Sequence, residues 1–216
     1  MGLTLAQLQF IGTGALWTIA LSSIAFVGGG LLGFTLALAR IAPQRWVRIL
    51  ARAYIQVVQG TPLLVLLFLI YFGLPILGFR SLPAIVAAGA GLTIYSSAFL
   101  AEIWRGCLEA VPRTQWEAAE CLGLSRWQRM VRVVLPQAMR IATPPTVGFL
   151  VQIVKNTSLA SVVGFVELSL AGKLVNNSIF EPFPIFMVVA AFYIAICYPL
   201  SAWSRRLERK LNVGRG

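Results

Sequence analysis

Ile141-Ala-Thr-Pro-Pro-Thr-Val-Gly-Phe-Leu-Val-Gln-Ile-Val-Lys-Asn-Thr-Ser-Leu-Ala-Ser-Val-Val-Gly-Phe-Val166 decides the topology of this chain. The stretch has 26 residues and one charge, Lys155. A helix of about 20 apolar residues crosses a bilayer. Pro144 and Pro145 suit the first turn of a helix, where a missing N–H costs little. The expected crossing is about 144–165. Everything after it changes side if it does not cross.

Four other stretches are easier to read. No charge occurs from Met1 to Ala39, Ala53 to Phe79, Ser81 to Ala101 or Pro182 to Ser204. Each is long enough to hold a crossing. The spans expected from them are about 12–39, 54–76, 83–103 and 183–203. The run Phe10 to Ala39 corresponds to about 45 Å of helix at 1.5 Å per residue, one tilted or bent crossing. Gly28-Gly29-Gly30 is the expected bend or close-packing point. Pro62 is expected to bend the second span.

Composition agrees. Of 216 residues, 58% are hydrophobic and 12% are charged, about half the usual charged share. That excludes an ordinary soluble enzyme, a disordered tail and a disulfide scaffold. The apolar/polar alternation of an outer-membrane barrel is absent. The expected fold is all-α: one domain over 1–216, a polytopic bundle of about five transmembrane helices. The chain has no His and no Asp, and its three cysteines form no CxxC pair. Histidine-based catalysis and most metal clusters are excluded. A basic-free start followed by a very long apolar run does not resemble a cleaved signal peptide.

The net charge is +11, from 18 Lys/Arg against seven acids. With five spans, fifteen of the 18 positives fall on one side. They are Arg40, Arg45, Arg48 and Arg52; Arg105, Arg113, Arg126, Arg129, Arg132 and Arg140; and Arg205, Arg206, Arg209, Lys210 and Arg215. The opposite side has only Arg80 and Lys173. The positive-inside rule then puts the N-terminus outside and the C-terminus in the cytoplasm. It also argues against a nucleic-acid partner, because the positives are spread over three loops.

The cytoplasmic segment, about 104–143, is the longest hydrophilic stretch. Thr114-Gln-Trp-Glu117 and Ser125-Arg-Trp-Gln128 have the pattern of capping boxes. A short helix is expected from the first box to Gly123. A second is expected from Arg126 to about Val134, stopping near Pro136. Trp127, Met130, Val131 and Val134 give it an apolar stripe, suited to docking on a cytoplasmic partner or lying on membrane lipid.

Glu117-Ala118-Ala119, Gly123, Val133 and Leu135-Pro136 stand at the spacing of the EAA loop. In that loop the chain resembles the permease subunits of bacterial ABC importers. Gln59-Gly-Thr-Pro-Leu63, Ala101-Glu-Ile-Trp-Arg-Gly106, Lys155-Asn-Thr-Ser-Leu159, Phe180-Glu-Pro-Phe183 and Arg205-Arg-Leu-Glu-Arg209 are similar to the polar amino-acid branch. Cys107 and Thr114 stand where that branch usually has Gly. The similarity runs from roughly Leu16 to Leu211.

The resemblance implies a multi-pass subunit of the bacterial inner membrane that translocates polar amino acids. An opine or another amino-acid derivative is the alternative solute. The implied partners are two ATPase subunits, a second permease subunit, identical or homologous, and an external solute-binding protein. ATP and magnesium would be bound by the ATPases. This chain would hold no cofactor or metal and no catalytic residue, and it has no GxxxxGK[ST] loop of its own. The implied ATPase-coupling residues are Glu117, Ala118, Ala119 and Gly123. Leu124, Trp127 and Met130 are the candidates for apolar docking.

Candidate pathway residues are Gln59, Thr61, Tyr95, Lys155, Asn156, Thr157 and Ser158. Gln59, Thr61 and Tyr95 can hydrogen-bond an amino acid's polar groups, although Gln56 and Gln59 also suit a plain interhelical contact. Lys155 near mid-span costs about 2.5–3.5 kcal/mol to insert, so it should face a cavity or a partner, or pair with Glu102. Glu102 and Arg105, at i, i+3, read as a local ion pair. A different class, an intramembrane enzyme using Ser158, Lys155 or Cys197, has nothing else in the sequence to complete its site.

Overall fold

The computed structural model describes residues 3–76, 78 and 82–212. Arg80 and Arg215 lie outside the described residues, as do Met1, Phe79 and Ser81, which end three of the charge-free runs. The described residues form eight helices and no strand: α1 Leu5–Arg40, α2 Arg45–Gly60, α3 Leu63–Ile76, α4 Ala84–Glu109, α5 Arg113–Cys121, α6 Arg126–Val163, α7 Leu168–Ile179 and α8 Pro182–Asn212. Helices α1, α4, α6 and α8 are each long and apolar enough to cross a membrane, and the α2–α3 pair makes a fifth candidate.

The glycine triplet does not interrupt α1, which runs unbroken for 36 residues. It is a packing surface. Gly14, Thr18, Ser22, Ala25, Gly29, Gly33 and Ala37 recur every three or four residues and are all buried. Small residues let helix backbones approach closely where lipid removes the hydrophobic driving force. Gly28, Gly29 and Gly33 lie against Thr93, Ser96 and Ser97 of α4, and Gly14 against Ala171 of α7.

The second expected span is two helices. Helices α2 and α3 meet at 103°. Thr61 and Pro62 are extended, with ψ of 126° and 136°. Proline disfavours helical backbone in the residue before it and has no N–H to continue the ladder. The Thr61 hydroxyl donates to the Val57 carbonyl at 2.8 Å, satisfying one carbonyl at the end of α2.

Helix α6 differs from expectation at two points. The second loop helix does not stop near Pro136, and no helix begins at Pro144. One helix runs from Arg126 to Val163, with Pro144 and Pro145 inside it. A π-helical turn over Arg129–Val134 precedes Pro136, and the Leu135 N–H donates to the Met130 carbonyl five residues back. A wider turn takes up the ring clash and missing donor that would break a regular helix. The same device precedes Pro75 in α3, where the π turn is Leu69–Gly73. At the prolines in the span, the Ser204 hydroxyl of α8 donates to the Pro144 carbonyl at 2.9 Å.

The main core lies where α1, α3, α4 and α6 meet. It holds Leu21, Leu63, Leu67, Leu92, Leu100, Phe149 and Ile153. A second cluster, with Ile11, Leu168, Val175, Ile185 and Val189, packs α7 between α1 and α8. Helix α7 is absent from the expectations above, although Leu168, Ala171, Gly172 and Val175 carry its i, i+3, i+4, i+7 pattern.

Candidate functional site

The α5–α6 loop is built by backbone hydrogen bonds. The helix α5 begins at Arg113, directly after Pro112, which is extended with ψ of 138°. The Thr114–Glu117 capping box is therefore not formed: Pro112 starts the helix, and Thr114 sits inside its first turn. The C-terminus is as expected. Gly123 has φ of +72°. The Leu124 N–H donates to the Ala119 carbonyl at 3.2 Å and the Gly123 N–H to the Glu120 carbonyl at 2.9 Å, a Schellman motif. The second capping box forms. The Ser125 N–H donates to Gln128 Oε1 at 2.9 Å, and the Gln128 N–H to Ser125 Oγ at 3.3 Å.

These two devices hold a short helix against the base of α6. Leu108, Val111, Val134 and Ala138 form a cluster beneath it, joined by Trp116 and Met130. Met130 thus turns inward, Ala119 is buried and Leu124 is half-buried. Glu117, Ala118 and Gly123 are exposed, and Trp127 is 74% exposed. Leu122, which sequence reasoning passed over, is 78% exposed. An apolar residue just before a helix-ending Gly was the available signal. Arg129 pairs with Glu120 at 2.7 Å and ties α6 to α5.

The ion pair of Glu102 is wider than expected. Glu102 binds Arg105 at 2.7 Å and Arg40, from the end of α1, at 3.2 Å. Arg105 also binds Glu109 at 2.6 Å. Hydrogen bonds to Glu102 and then Glu109 hold the Arg105 guanidinium more firmly protonated than an ordinary arginine. Pairing of Lys155 with Glu102 is therefore not seen.

The pathway candidates fall into two groups. Gln59 reaches from α2 to the Ala98 carbonyl of α4 at 3.5 Å. One turn away, the Tyr95 ring stacks over Phe149 of α6 and lies 4.5 Å from Phe99. Lys155, Asn156, Thr157 and Ser158 stand where α6 tightens from α- to 3-10 geometry at Thr157. They do not share a face: Thr157 is buried, Asn156 and Ser158 are half-buried, and Lys155 is exposed. The Ser158 hydroxyl donates to the Lys155 carbonyl at 2.8 Å, so it is not turned to the amine. Lys155 has no acid within ion-pair distance among the described residues.

Glu167 was not anticipated. It is 0% exposed and caps α7, accepting from the Ser169 and Leu170 N–H groups at 2.9 Å and from the Tyr193 hydroxyl at 3.0 Å. Burial pushes its carboxyl up, and these bonds partly offset the push. The Leu168 N–H donates to Thr18 of α1 at 3.2 Å. A buried acid at an N-cap carries no sequence signature beyond the helix that follows it.

The family described as "Binding-protein-dependent transport system inner membrane component" matches residues 29–213. The chain belongs to this family. The permease is a multi-pass inner-membrane subunit of an ABC transporter. It is similar to the probable amino-acid ABC transporter permease protein YckA of Bacillus subtilis, 35% identical over 96% of this chain and 92% of that protein. It is also similar to the probable glutamine ABC transporter permease protein GlnM of the same organism, 37% identical over 90% of each. The glutamine transport system permease protein GlnP of Escherichia coli is 35% identical over 93% and 92%. Among solved structures, an amino acid ABC transporter crystallised with histidines superposes with a TM-score of 0.89 at 31% identity, covering 97% of this permease and 100% of that chain. The MetNI methionine transporter superposes with 0.80 at 19% identity over 96% and 99%, a likeness of fold.

Proposed function

We propose that this permease carries polar amino acids inward, driven by two ATPase subunits and fed by an external binding protein. A second permease subunit completes the pathway. The N-terminus lies outside and the C-terminus in the cytoplasm, as the arginine distribution favours. The observation that carries the coupling role is the locked loop. The Schellman motif and the capping box present Glu117, Ala118, Leu122, Gly123 and Trp127 together on the outer side of the bundle. A small, rigid, partly apolar knob with one free carboxylate suits a cleft with a basic rim. Relatives named for amino-acid and glutamine transport, alike over nine tenths of the chain or more, support the solute class.

Inside the membrane, Gln59 and Thr61 at the α2–α3 break, Tyr95 on α4 and the Lys155–Ser158 segment of α6 are the proposed solute contacts. Broken helices expose backbone and polar groups in transport sites. The exposed Lys155 faces either that path or the second subunit.

Reconstitution tests the reading. The permease, its ATPase and its binding protein are placed in proteoliposomes, and uptake of labelled amino acids is measured with and without ATP. Saturable uptake that depends on ATP is expected, with no ATP hydrolysis by the permease alone. Hydrolysis by the isolated chain, or uptake indifferent to ATP, refutes the proposal.

A further inference from the structure

Two cavities meet at the loop end of the bundle. The first, about 400 Å³, lies between α1, α4 and α6. Its walls include Phe34, Leu38, Trp104, Met139 and Ala142. Its two threonine hydroxyls are already engaged: Thr143 donates to the Met139 carbonyl at 2.8 Å, and Thr146 accepts from the Trp104 indole N–H at 2.9 Å. A zwitterionic solute finds no charged group there. Along α6 the groove runs from Leu135 to Val147, about 18 Å at 1.5 Å per residue. Half of a hydrocarbon core of about 30 Å is about 15 Å, so the groove is one leaflet deep.

The second cavity, about 1000 Å³, is lined by Arg48, Arg113, Arg126 and Arg129, with Glu109 as its one acid. Glu109 is engaged by Arg105, and Arg129 by Glu120. Arg48 donates to the Ala42 and Pro43 carbonyls. Arg113 and Arg126 have no acid within ion-pair distance among the described residues. Leu38 and Leu108 line both cavities, so the apolar groove opens into the basic cleft.

We propose that the joined cavities bind one anionic phospholipid from the leaflet on the loop side. An acyl chain fills the α1–α4–α6 groove, and the phosphate sits at the Arg113 and Arg126 end of the cleft. The order of the two environments, apolar then cationic, is that of a lipid entering from one leaflet. Basic pockets between transmembrane helices hold anionic headgroups in this way. A free phosphate leaves the groove empty. A second copy of this chain, itself carrying +11, meets like charge at the cleft.

The test uses the whole transporter, permease with its ATPase partners, in nanodiscs of equal phosphatidylglycerol and phosphatidylcholine. Native mass spectrometry counts the retained lipids. Phosphatidylglycerol is expected to be favoured on the order of thirtyfold, as two surface arginines predict. The double variant Arg113→Gln/Arg126→Gln should abolish the preference, and Ala142→Phe should remove the bound lipid. Should Ala142→Phe fail to assemble, quenching by phosphatidylglycerol with brominated chains reads the groove directly. Quenching present in wild type and reduced in Trp104→Phe supports the site. Equal retention of the two lipids overturns the proposal. So does loss of the preference in millimolar inorganic phosphate, which marks a free-phosphate site. Lipid held by the permease alone but released when the ATPase joins overturns it too, since the cleft then belongs to the partner.

Discussion

Gly29 of α1 faces Ser96 of α4 so closely that a methyl group on Gly29 would stand 2.5 Å from the Ser96 Cβ. No carbon pair tolerates that distance, so the two helices must separate or the methyl must be absent. Its neighbours in the triplet differ. A Cβ on Gly28 would meet the Thr93 side chain at 3.0 Å, and one on Gly30 would meet only the Trp104 ring edge at 3.6 Å. Gly29→Ala is therefore expected to cost about 1–3 kcal/mol through overpacking. Gly28→Ala should cost less. Gly30→Ala should be neutral or stabilise by about 0.5–1 kcal/mol, because alanine replaces glycine inside a helix. Thermal unfolding in detergent ranks the three, and equal midpoints would refute the close-packing account.

Gly123 holds φ of +72° in open surroundings, so the conformation and not space restricts substitution. Gly123→Ala should cost about 1–2 kcal/mol locally, and Gly123→Asn less. Gly123→Asp and Glu117→Lys should insert normally yet uncouple ATP hydrolysis from uptake in proteoliposomes. Normal transport by either variant contradicts the coupling role of the loop.

Glu167 joins α7 to α8 through Tyr193. Glu167→Ala leaves two helix N–H groups without their acceptor, at roughly 1–3 kcal/mol for each that water cannot reach, while the Tyr193 hydroxyl keeps Ser169 Oγ as a partner at 2.9 Å. Tyr193→Phe keeps both N–H bonds and should cost less. The pH dependence follows from the direction of the shift. Burial raises the folded value above the unfolded one, so stability from this group is greatest at low pH. It declines as pH rises from the ordinary carboxylate range through the raised folded value. Glu167→Gln should flatten that slope, as read by unfolding midpoints across pH; an unchanged slope assigns it to other groups.

Arg40 and Glu102 tie the end of α1 to α4 across 62 residues of sequence. Both side chains are partly exposed, at 18% and 26%, so Arg40→Gln is expected to cost about 1 kcal/mol or less. In 1 M salt the wild type and the variant should converge. A penalty that salt leaves intact points to packing of the arginine stem instead.

If Ser158 or Cys197 were a nucleophile, its loss would stop the protein. The Ser158 hydroxyl is spent on a backbone carbonyl, and Cys197 is buried beside Val151 and Val154. Cys197→Ala should therefore retain full uptake, and Ser158→Ala should weaken uptake as loss of a solute contact does, without abolishing it as loss of a nucleophile would.

The charge-free runs, the all-α class and the basic loops were legible in the sequence because each depends on local composition and period. The Ser125 box and the Gly123 turn were legible for the same reason: their partners lie within five residues. Pro62 announced the α2–α3 break, though not its 103° angle, which packing against α4 sets. Other features needed the tertiary structure. Prolines at 136 and 144 read as helix boundaries, yet one helix runs through both, with a π turn before the first. Thr114 reads as a cap, yet the backbone of Pro112 starts the helix first. Glu102 is one of several partners that the sequence leaves open to Lys155, yet Arg40 and Arg105 reach that carboxylate instead. Residue type and short spacing determine what a segment can form. Which long-range partner satisfies a carboxylate, a carbonyl or a glycine face is decided only when distant helices come within hydrogen-bond and van der Waals reach.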